Sequence, residues 1–204
     1  MVRAFIIRLF GQMWLARFSM IALAVVIGGT LPAWGENAMD VEMLFARAEQ
    51  DGRVGVARKS KPVAARPAVP GEIVVTVIAG EGKETQSQPA AAGDWVVRNR
   101  CEASGHEQYL VSAGKFAERY EGPLGPADRD GWAPYRPRGV EMLYTLVRDQ
   151  DGSFHFTAPW GEAMVARPGD ALVRDPNNPK DLYRVQAAAF ACTYEIVKPP
   201  RFAR

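Results

Sequence analysis

One short pattern occurs twice in this chain, and no other feature of the sequence restricts the fold as strongly. Residues 93–98 (GDWVVR) align without gaps with residues 169–174 (GDALVR), and residues 109–121 align in the same way with residues 183–195. Eleven of these nineteen aligned positions carry the same residue. Agreement at this level predicts an internal duplication, in which two copies of one unit build a shared core.

Each copy is expected to form a strand, a connecting loop, a return strand and a short helix. Gly-Asp at the start of the copy favours a turn, because Gly adopts backbone conformations that other residues avoid. The helix carries Phe116 in the first copy and Phe190 in the second, and we expect both aromatic rings in the core. Two such units packed against each other predict an α+β domain with pseudo-twofold symmetry.

The second copy also contains a predicted β-hairpin. VEMLYTLV (140–147) and SFHFTAP (153–159) are rich in β-branched and aromatic residues, and they flank Asp151-Gly152, a pair that favours a tight turn. Seven segments are predicted along the whole chain: a signal segment (1–35), a short amphipathic helix (36–51), a basic linker (52–70), the first copy (71–122), a connecting loop (123–139), the second copy with its hairpin (140–198) and a tail (199–204).

The first 35 residues have the pattern of a secretory signal peptide. A basic start precedes the apolar run FSMIALAVVIGG, and the small residues Ala33 and Gly35 suit cleavage after Gly35. This predicts a periplasmic or secreted protein. The alternative is an anchor in the inner membrane with the domain facing the periplasm, if residues 18–34 are retained; their length is near the lower limit for a spanning helix. Because the basic region is long, Met13 and Met20 are alternative starts.

The charge of the remaining chain argues against nucleic acid as a partner. The chain has 25 Lys/Arg and 23 Asp/Glu, and three of the basic residues but none of the acidic ones lie in residues 1–35. The remainder therefore carries 22 basic and 23 acidic residues, a formal charge of −1. Proteins that bind nucleic acid normally keep a basic surface, so this partner class is not expected.

Residues 36–51 predict a helix capped by Asn37. Its apolar positions recur at helical spacing: Val41, Leu44, Phe45 and Ala48. This face either packs on the domain or docks on a partner or a membrane surface. Residues 52–70 contain five Lys/Arg, no Asp/Glu and several Pro and Gly, a composition typical of an extended, solvated linker. The folded domain is then expected to begin near Gly71.

Cys101 and Cys192 are the two cysteines of the chain. In an exported protein they favour a disulfide, and because their positions are not equivalent in the repeat, the bond would cross between the halves. A zinc site that adds His106 and His155 is the alternative, although its spacing matches no strong ligand pattern. No nucleophile elbow, phosphate loop or metalloprotease motif occurs. No catalytic residue, metal or cofactor is therefore predicted.

Three charged residues recur in both copies: Asp94/Asp170, Arg98/Arg174 and Glu121/Glu195. In a structural interpretation, each Asp caps its turn and each Arg pairs with the Glu of its copy. In a functional interpretation, the arginines line polar pockets that bind a carboxylate or a sugar acid.

Aromatic residues supply the other binding candidates. Trp132, Tyr135 and Trp160 have no counterpart in the repeat and lie in loop-like sequence, so they form either a recognition surface or part of the core. The complete set of candidate binding residues is Asp94, Trp95, Arg98, Tyr109, Trp132, Tyr135, Trp160, Asp170, Arg174 and Tyr183.

The two Gly-Asp turns carry a family resemblance. AGDW at residues 92–95, with the trailing Glu-Gln-Tyr, Phe and Tyr-Glu, is similar to a small bacterial and phage domain family named for its Pro-Gly-Asp-Tyr-Gly motif. The second copy keeps PGD at residues 168–170 but continues with Ala171-Leu172, and the first copy has Val96 in place of the final Gly. The resemblance implies a compact domain in two divergent copies. It implies no reaction, because no activity is established for that family.

These observations predict an exported binding or scaffolding protein of the bacterial cell envelope, with an envelope ligand or protein as its partner. Two alternatives are a small periplasmic enzyme that acts on an envelope polymer or metabolite, and a membrane-anchored partner of an envelope complex.

Overall fold

The computed structural model describes residues 39–202, and the predicted signal segment and Asn37 lie outside this range. The described chain is a mixed α+β structure dominated by strands, which confirms the predicted α+β class. Its helices are α1 (Val41–Gln50), α2 (Ala113–Arg119) and α3 (Ala187–Thr193). Its strands are β1 (Gly55–Lys59), β2 (Val63–Pro67), β3 (Val75–Ile78), β4 (Gly82–Gln86), β5 (Trp95–Asn99), β6 (Gln108–Val111), β7 (Tyr120–Glu121), β8 (Ala133–Pro137), β9 (Glu141–Leu146), β10 (Phe154–Thr157), β11 (Ala163–Ala166), β12 (Ala171–Asp175), β13 (Asn178–Val185) and β14 (Tyr194–Lys198).

Two five-stranded antiparallel sheets form the body of the protein. The first sheet has the strand order β6-β5-β2-β8-β7, and the second has the order β13-β12-β9-β1-β14. Two separate hairpins, β3-β4 and β10-β11, complete the strands. We call residues 55–121 the first half and residues 133–198 the second half.

Each half lends one strand to the sheet of the other. Strand β1 belongs to the first half but lies between β9 and β14, and β8 belongs to the second half but lies between β2 and β7. Each sheet therefore contains strands from both halves. Neither sheet is complete without the other half of the chain.

The predicted linker at residues 52–70 and the predicted loop at 123–139 are corrected by this topology. Strands β1 and β2 occupy the first segment, and β8 occupies the second. Their inward positions are small or aromatic side chains, among them Ala57, Ala65 and Tyr135, while basic residues and prolines take positions between them. The folded part also begins before Gly71, because α1 already packs on it.

The predicted hairpin at residues 140–159 is also wrong. Strand β9 pairs with β1 and β12, whereas β10 pairs with β11 in a different sheet. A short 3₁₀ turn at Asp149–Asp151 separates them, and Gly152 follows with a φ of 63°. The buried side chains of Phe154 and Phe156 pack with α1. Burial under the helix therefore outweighs the local turn signal.

The elements predicted within the repeat are present. Strands β5 and β6 pair antiparallel, as do β12 and β13, and each pair leads into a short helix. Phe116 on α2 and Phe190 on α3 are both buried, as expected. The connecting loop of the second copy, predicted over residues 175–180, is shorter than that, because β13 already begins at Asn178.

Helix α1 packs its apolar face against the second half. Phe45 and Ala48 are fully buried, and Phe45 joins a cluster with Val147 and Leu172. The helix is capped by Asp40, whose Oδ1 accepts a 2.9 Å hydrogen bond from the backbone N–H of Met43, and not by Asn37. No helix among residues 39–202 is long and apolar enough to cross a membrane.

Candidate functional site

A cavity of about 570 Å³ is lined by both halves of the chain. Its apolar wall includes Ile78, Leu110, Val140, Met142, Met164 and Trp160. Polar side chains converge on it from strands, loops and helices of both halves. A mainly apolar cavity with a few converging polar groups is the usual form of a small-molecule site.

Four tyrosines line this cavity, and we call them the tyrosine cluster: Tyr109, Tyr120, Tyr183 and Tyr194. The hydroxyls of Tyr109 and Tyr120 lie 3.1 Å apart, and those of Tyr183 and Tyr194 lie 3.5 Å apart. Burial raises the pKa of Tyr120 to about 12 and the pKa values of Tyr109 and Tyr194 well above their usual range. All three phenols therefore stay protonated at neutral pH.

Lys59 is the last residue of β1 and lies opposite Tyr194 of β14. Its side chain leaves that sheet and reaches the first sheet, where Nζ donates to Asn99 Oδ1 at 2.6 Å and to the Tyr109 hydroxyl at 2.7 Å. Nζ also lies 5.0 Å from the ring centre of Tyr109 and 5.9 Å from that of Tyr194. The exchange of β1 thus brings an amine from one sheet to the polar groups of the other.

Burial lowers the pKa of Lys59 to about 7, from an ordinary value of 10.5. The carboxylate of Glu107 opposes this shift, and the guanidinium of Arg119 adds to it. Removal of the amine from water disfavours its charged form, so desolvation is the dominant cause.

Asn99 is held in place by a short chain of buried polar groups. Its Nδ2 donates to Glu107 Oε1 at 2.5 Å, and Ser104 donates to the other carboxylate oxygen. All three side chains are buried. This arrangement directs the Asn99 carbonyl oxygen toward Lys59.

The second half places carboxylates near its own tyrosine pair. Asp181 accepts from Arg119 Nη2 at 2.6 Å and lies 2.9 Å from Lys115 Nζ, and Asp175 lies 3.4 Å from the same lysine. Arg119 and Lys115 both belong to α2 of the first half. The first half therefore supplies the cations that pair with these carboxylates of the second half.

Arg184 forms a third polar group at the cavity. Its side chain is fully buried and bonds Asp170 at 2.7 Å, Glu81 at 3.0 Å and also Glu84. Despite these contacts, burial raises the pKa of Glu84 above its usual value. Each of these buried charges is thus stabilised by its oppositely charged partner, and removal of one partner would leave the other buried without compensation.

Asp94 and Asp170 cap turns, as the structural interpretation predicted. Asp94 accepts from the backbone N–H of Ala91 at 2.8 Å and of Ala113 at 3.2 Å. Asp170 does the same for Arg167 at 2.7 Å and Ala187 at 3.0 Å. Each aspartate therefore joins its turn to the first residue of the following helix.

The predicted Arg–Glu pairs are wrong. The guanidinium of Arg98 stacks on Trp132 at 4.2 Å from the ring centre. Arg174 pairs with Glu49 and stacks on Phe45 at 4.2 Å. The repeated glutamates pair instead with arginines of the two strands, β1 and β8, that lie in the sheet of the other half. Glu121 pairs with Arg136 of β8, and Glu195 pairs with Arg58 of β1 at 3.1 Å.

The three aromatic candidates do not form one surface. Tyr135 is buried and packs edge-on against Trp95, with 5.5 Å between ring centres. Trp132 is also buried, under Arg98. Only Trp160 is exposed; it lines the cavity and lies 5.8 Å from the ring of Tyr183. Of the predicted binding residues, the cavity brings together Asp94, Tyr109, Trp160 and Tyr183.

Cys101 and Cys192 form a disulfide between the two halves, with their Cα atoms 6.1 Å apart. The predicted bond is confirmed, and the zinc alternative is wrong because both thiols are used. Among residues 39–202, no cluster of three or more His, Cys, Asp or Glu side chains could hold a metal ion.

Several site residues were missed by the sequence interpretation: Lys59, Asn99, Glu107, Lys115, Arg119, Tyr120, Asp181 and Tyr194. Tyr120 and Tyr194 are identical in the repeat, which gave no sign that they line a cavity. Lys115 and Arg119 are cations where the second copy has Ala189 and Thr193. Such charged departures from the repeat were the available signal. No signal of this kind pointed to Lys59, because this residue lies in the segment predicted as a linker.

No protein-family model, curated protein or solved structure matches this chain.

Proposed function

We propose that this chain is an exported binding protein of the bacterial cell envelope, and that its cavity takes a small, uncharged, mainly apolar molecule. The observation that carries the proposal is the cavity of about 570 Å³ with the tyrosine cluster and Lys59 at its polar end. The tyrosine hydroxyls offer hydrogen bonds to an oxygen of the ligand, and the apolar wall covers its body.

The balance of charge supports an uncharged ligand. Five Lys/Arg and five Asp/Glu line the cavity. Three of the five cations are already in ion pairs: Arg119 and Lys115 pair with Asp181, and Arg184 pairs with Asp170. A charged ligand would have to separate one of these pairs, which costs several kcal/mol when the partner is left buried.

The strand orders support an internal duplication. If β1 is taken as equivalent to β8, the strands that follow them are equivalent in chain order: β2 to β9, β5 to β12, β6 to β13 and β7 to β14. With these equivalences the strand orders β6-β5-β2-β8-β7 and β13-β12-β9-β1-β14 agree at every position. We therefore infer two copies of one unit, related by a pseudo-twofold axis, whose first strands are exchanged. The resemblance to the Pro-Gly-Asp-Tyr-Gly family stays part of this proposal.

The disulfide supports export, since such bonds persist in oxidising compartments and are rare in the cytosol. Intact mass of the protein from its host, with free thiols blocked, tests this. A species that begins at Glu36 with no blocked thiol agrees with export and cleavage. A full-length membrane species agrees with the anchored alternative, and two blocked thiols in any fraction contradict an oxidising location.

Ligand binding is tested with two dyes that share one aromatic framework. Phenylnaphthylamine is uncharged, and anilinonaphthalene sulfonate carries an added anionic group. We expect saturable fluorescence enhancement with the first dye and much weaker binding of the second.

A matched pair of variants locates the site of dye binding. Val140→Trp fills the cavity wall, and Val69→Trp adds the same side chain at a position that is 66% exposed and outside the lining. We expect the first variant to abolish dye binding and the second to retain it. Equal binding by both folded variants would refute the cavity as the site.

A further inference from the structure

The hydrogen bonds of Lys59 fit an uncharged amine. Within the described part of the chain, Nζ donates two hydrogen bonds, to Asn99 Oδ1 and to the Tyr109 hydroxyl. A neutral amine has two N–H groups and one lone pair, whereas an ammonium has three N–H groups. The two acceptors satisfy both hydrogens of the neutral form, and the lone pair is left for another partner.

The groups around Nζ come from four elements. Asn99 belongs to β5, Tyr109 to β6, Tyr194 to β14 and Arg119 to α2. Glu107, which precedes β6, acts on the amine electrostatically, and it is occupied by hydrogen bonds from Asn99 and Ser104. The amine therefore lacks the direct carboxylate partner that normally keeps a buried lysine charged.

A purely structural lysine at this position is less consistent with these contacts. A lysine that only ties the halves together gains most from a charged hydrogen bond to a carboxylate. Lys59 instead lines the cavity beside Tyr109 and Asn99, with a pKa of about 7. Desolvated lysines with uncharged amines are the nucleophiles that proteins use to form Schiff bases.

We propose that Lys59 captures a small aldehyde in the cavity as a reversible imine. This inference rests on the proposed function, because the aldehyde must enter the same cavity. The aldehyde body would lie along the apolar wall, and its carbonyl carbon would meet Nζ. A capture site of this kind makes the protein a carrier or scavenger of reactive carbonyl compounds.

The reaction balances without any other reactant. The lone pair of Nζ forms a C–N bond as the carbonyl π electrons move to oxygen, which gives a carbinolamine after proton transfer. The C–O bond then breaks, the oxygen leaves as water with both original amine hydrogens, and a C=N bond remains. Tyr109, whose hydroxyl lies 2.7 Å from Nζ, is placed to relay a proton in these steps.

The test is reductive trapping of the full protein with naphthaldehyde and cyanoborohydride near neutral pH. Peptide mapping then compares Lys59 with Lys61, an exposed lysine two residues away. A lysine with a pKa near 7 is about half neutral at that pH, against roughly one in a thousand for an ordinary lysine. We expect Lys59 to be labelled at least about tenfold faster than Lys61, with a rate that rises with pH to a plateau above about 7.

Two variants keep the test decisive. Lys59→Met removes the amine, and urea unfolding checks its fold. Asn99→Asp combined with Glu107→Gln keeps the lysine and moves the carboxylate from residue 107 to residue 99, next to Nζ, so the amine becomes charged. We expect this double variant to fold by the same measurement and to lose most of the labelling near neutral pH, with recovery at higher pH.

The outcomes separate the two proposals. Dye binding with Lys59 labelled no faster than Lys61 would overturn the capture of aldehydes and leave the binding function intact. Loss of both dye binding and labelling in the native protein would overturn both. Labelling at Lys59 that naphthalene methanol slows, since it has the same body without the carbonyl, supports capture within the cavity.

Discussion

Gly55 of β1 lies directly opposite Tyr144 of β9, at a point where a Cβ on residue 55 would be 2.6 Å from the Tyr144 ring. The same Cβ would lie 2.6 Å from the backbone oxygen of Lys198 on β14. In the first sheet, Tyr135 of β8 lies opposite Val63 of β2, and Ala133 of β8 lies opposite Ala65. Strand β1 therefore fits the sheet that receives it because a residue without a side chain faces the Tyr144 ring.

This fit predicts that Gly55→Ala destabilises the protein. The added methyl group meets backbone and ring atoms with no free space, and we expect a loss of about 1–3 kcal/mol in the free energy of unfolding. Gly114→Ala in α2 is the matched control, because its new Cβ has no neighbour within 4 Å. We expect that control to be neutral or stabilising by up to about 1 kcal/mol. Urea unfolding of both variants decides, and equal effects would contradict the close approach.

The disulfide is expected to contribute strongly to stability. Its two cysteines are 91 residues apart, and closing so long a loop restricts the unfolded chain by about 3–5 kcal/mol. The double variant Cys101→Ala, Cys192→Ala should therefore unfold at a lower denaturant concentration than the oxidised protein. Reduced wild-type protein should behave like the variant, and the variant should not respond to reductant. A reductant effect on the variant would point to another cause.

Lys59 predicts a particular dependence of stability on pH. Its pKa is about 7 in the folded state and about 10.4 when unfolded, so between these values the unfolded chain binds more protons. Stability contributed by this residue must then rise with pH across that window, with a slope of at most about 1.4 kcal/mol per pH unit. Unfolding curves of wild type and Lys59→Met, compared from about pH 6 to about pH 9, measure the difference. Parallel pH profiles would show that Lys59 is charged in the folded protein.

Removal of Arg184 is expected to reverse this pH dependence, so that stability falls as pH rises. Arg184→Leu leaves the buried carboxylates of Asp170 and Glu84 without their cation, which should cost about 3–5 kcal/mol near neutral pH. Burial already raises the pKa of Glu84, and loss of the Arg184 charge raises that pKa further, so the folded variant binds more protons and loses stability as pH rises. Arg167→Leu is the control, because its side chain is 42% exposed and pairs with Glu81 at the surface. Equal losses in both variants would contradict the dependence of these carboxylates on Arg184.

The sequence predicted the elements whose signals are local. The Gly-Asp turns, the paired strands that follow them, the two short helices and the inward Phe116 and Phe190 all depend on residues close together in the chain. The disulfide was also predicted, from two cysteines in a chain that begins with the pattern of a signal peptide.

The strands β1, β2 and β8 could not be found in that way. Each is five residues long, and its small inward residues become buried only because partners far along the chain cover them. The alternation was hidden by arginines and prolines on the outward positions. Lys59 was missed for the same reason, since its role depends entirely on the placement of β1.

The exchange of β1 and β8 also bears on how the chain is synthesised and folded. Strand β1 leaves the ribosome or the export channel long before β9 and β14, so its place in a sheet does not exist until the chain is nearly complete. Contacts this distant in sequence slow folding and make it cooperative. A nascent first half must therefore wait with its edges unpaired, a state in which help from a chaperone would matter. Once folded, the two halves are clasped, and a cut within residues 123–131 should leave them joined as one particle even after the disulfide is reduced.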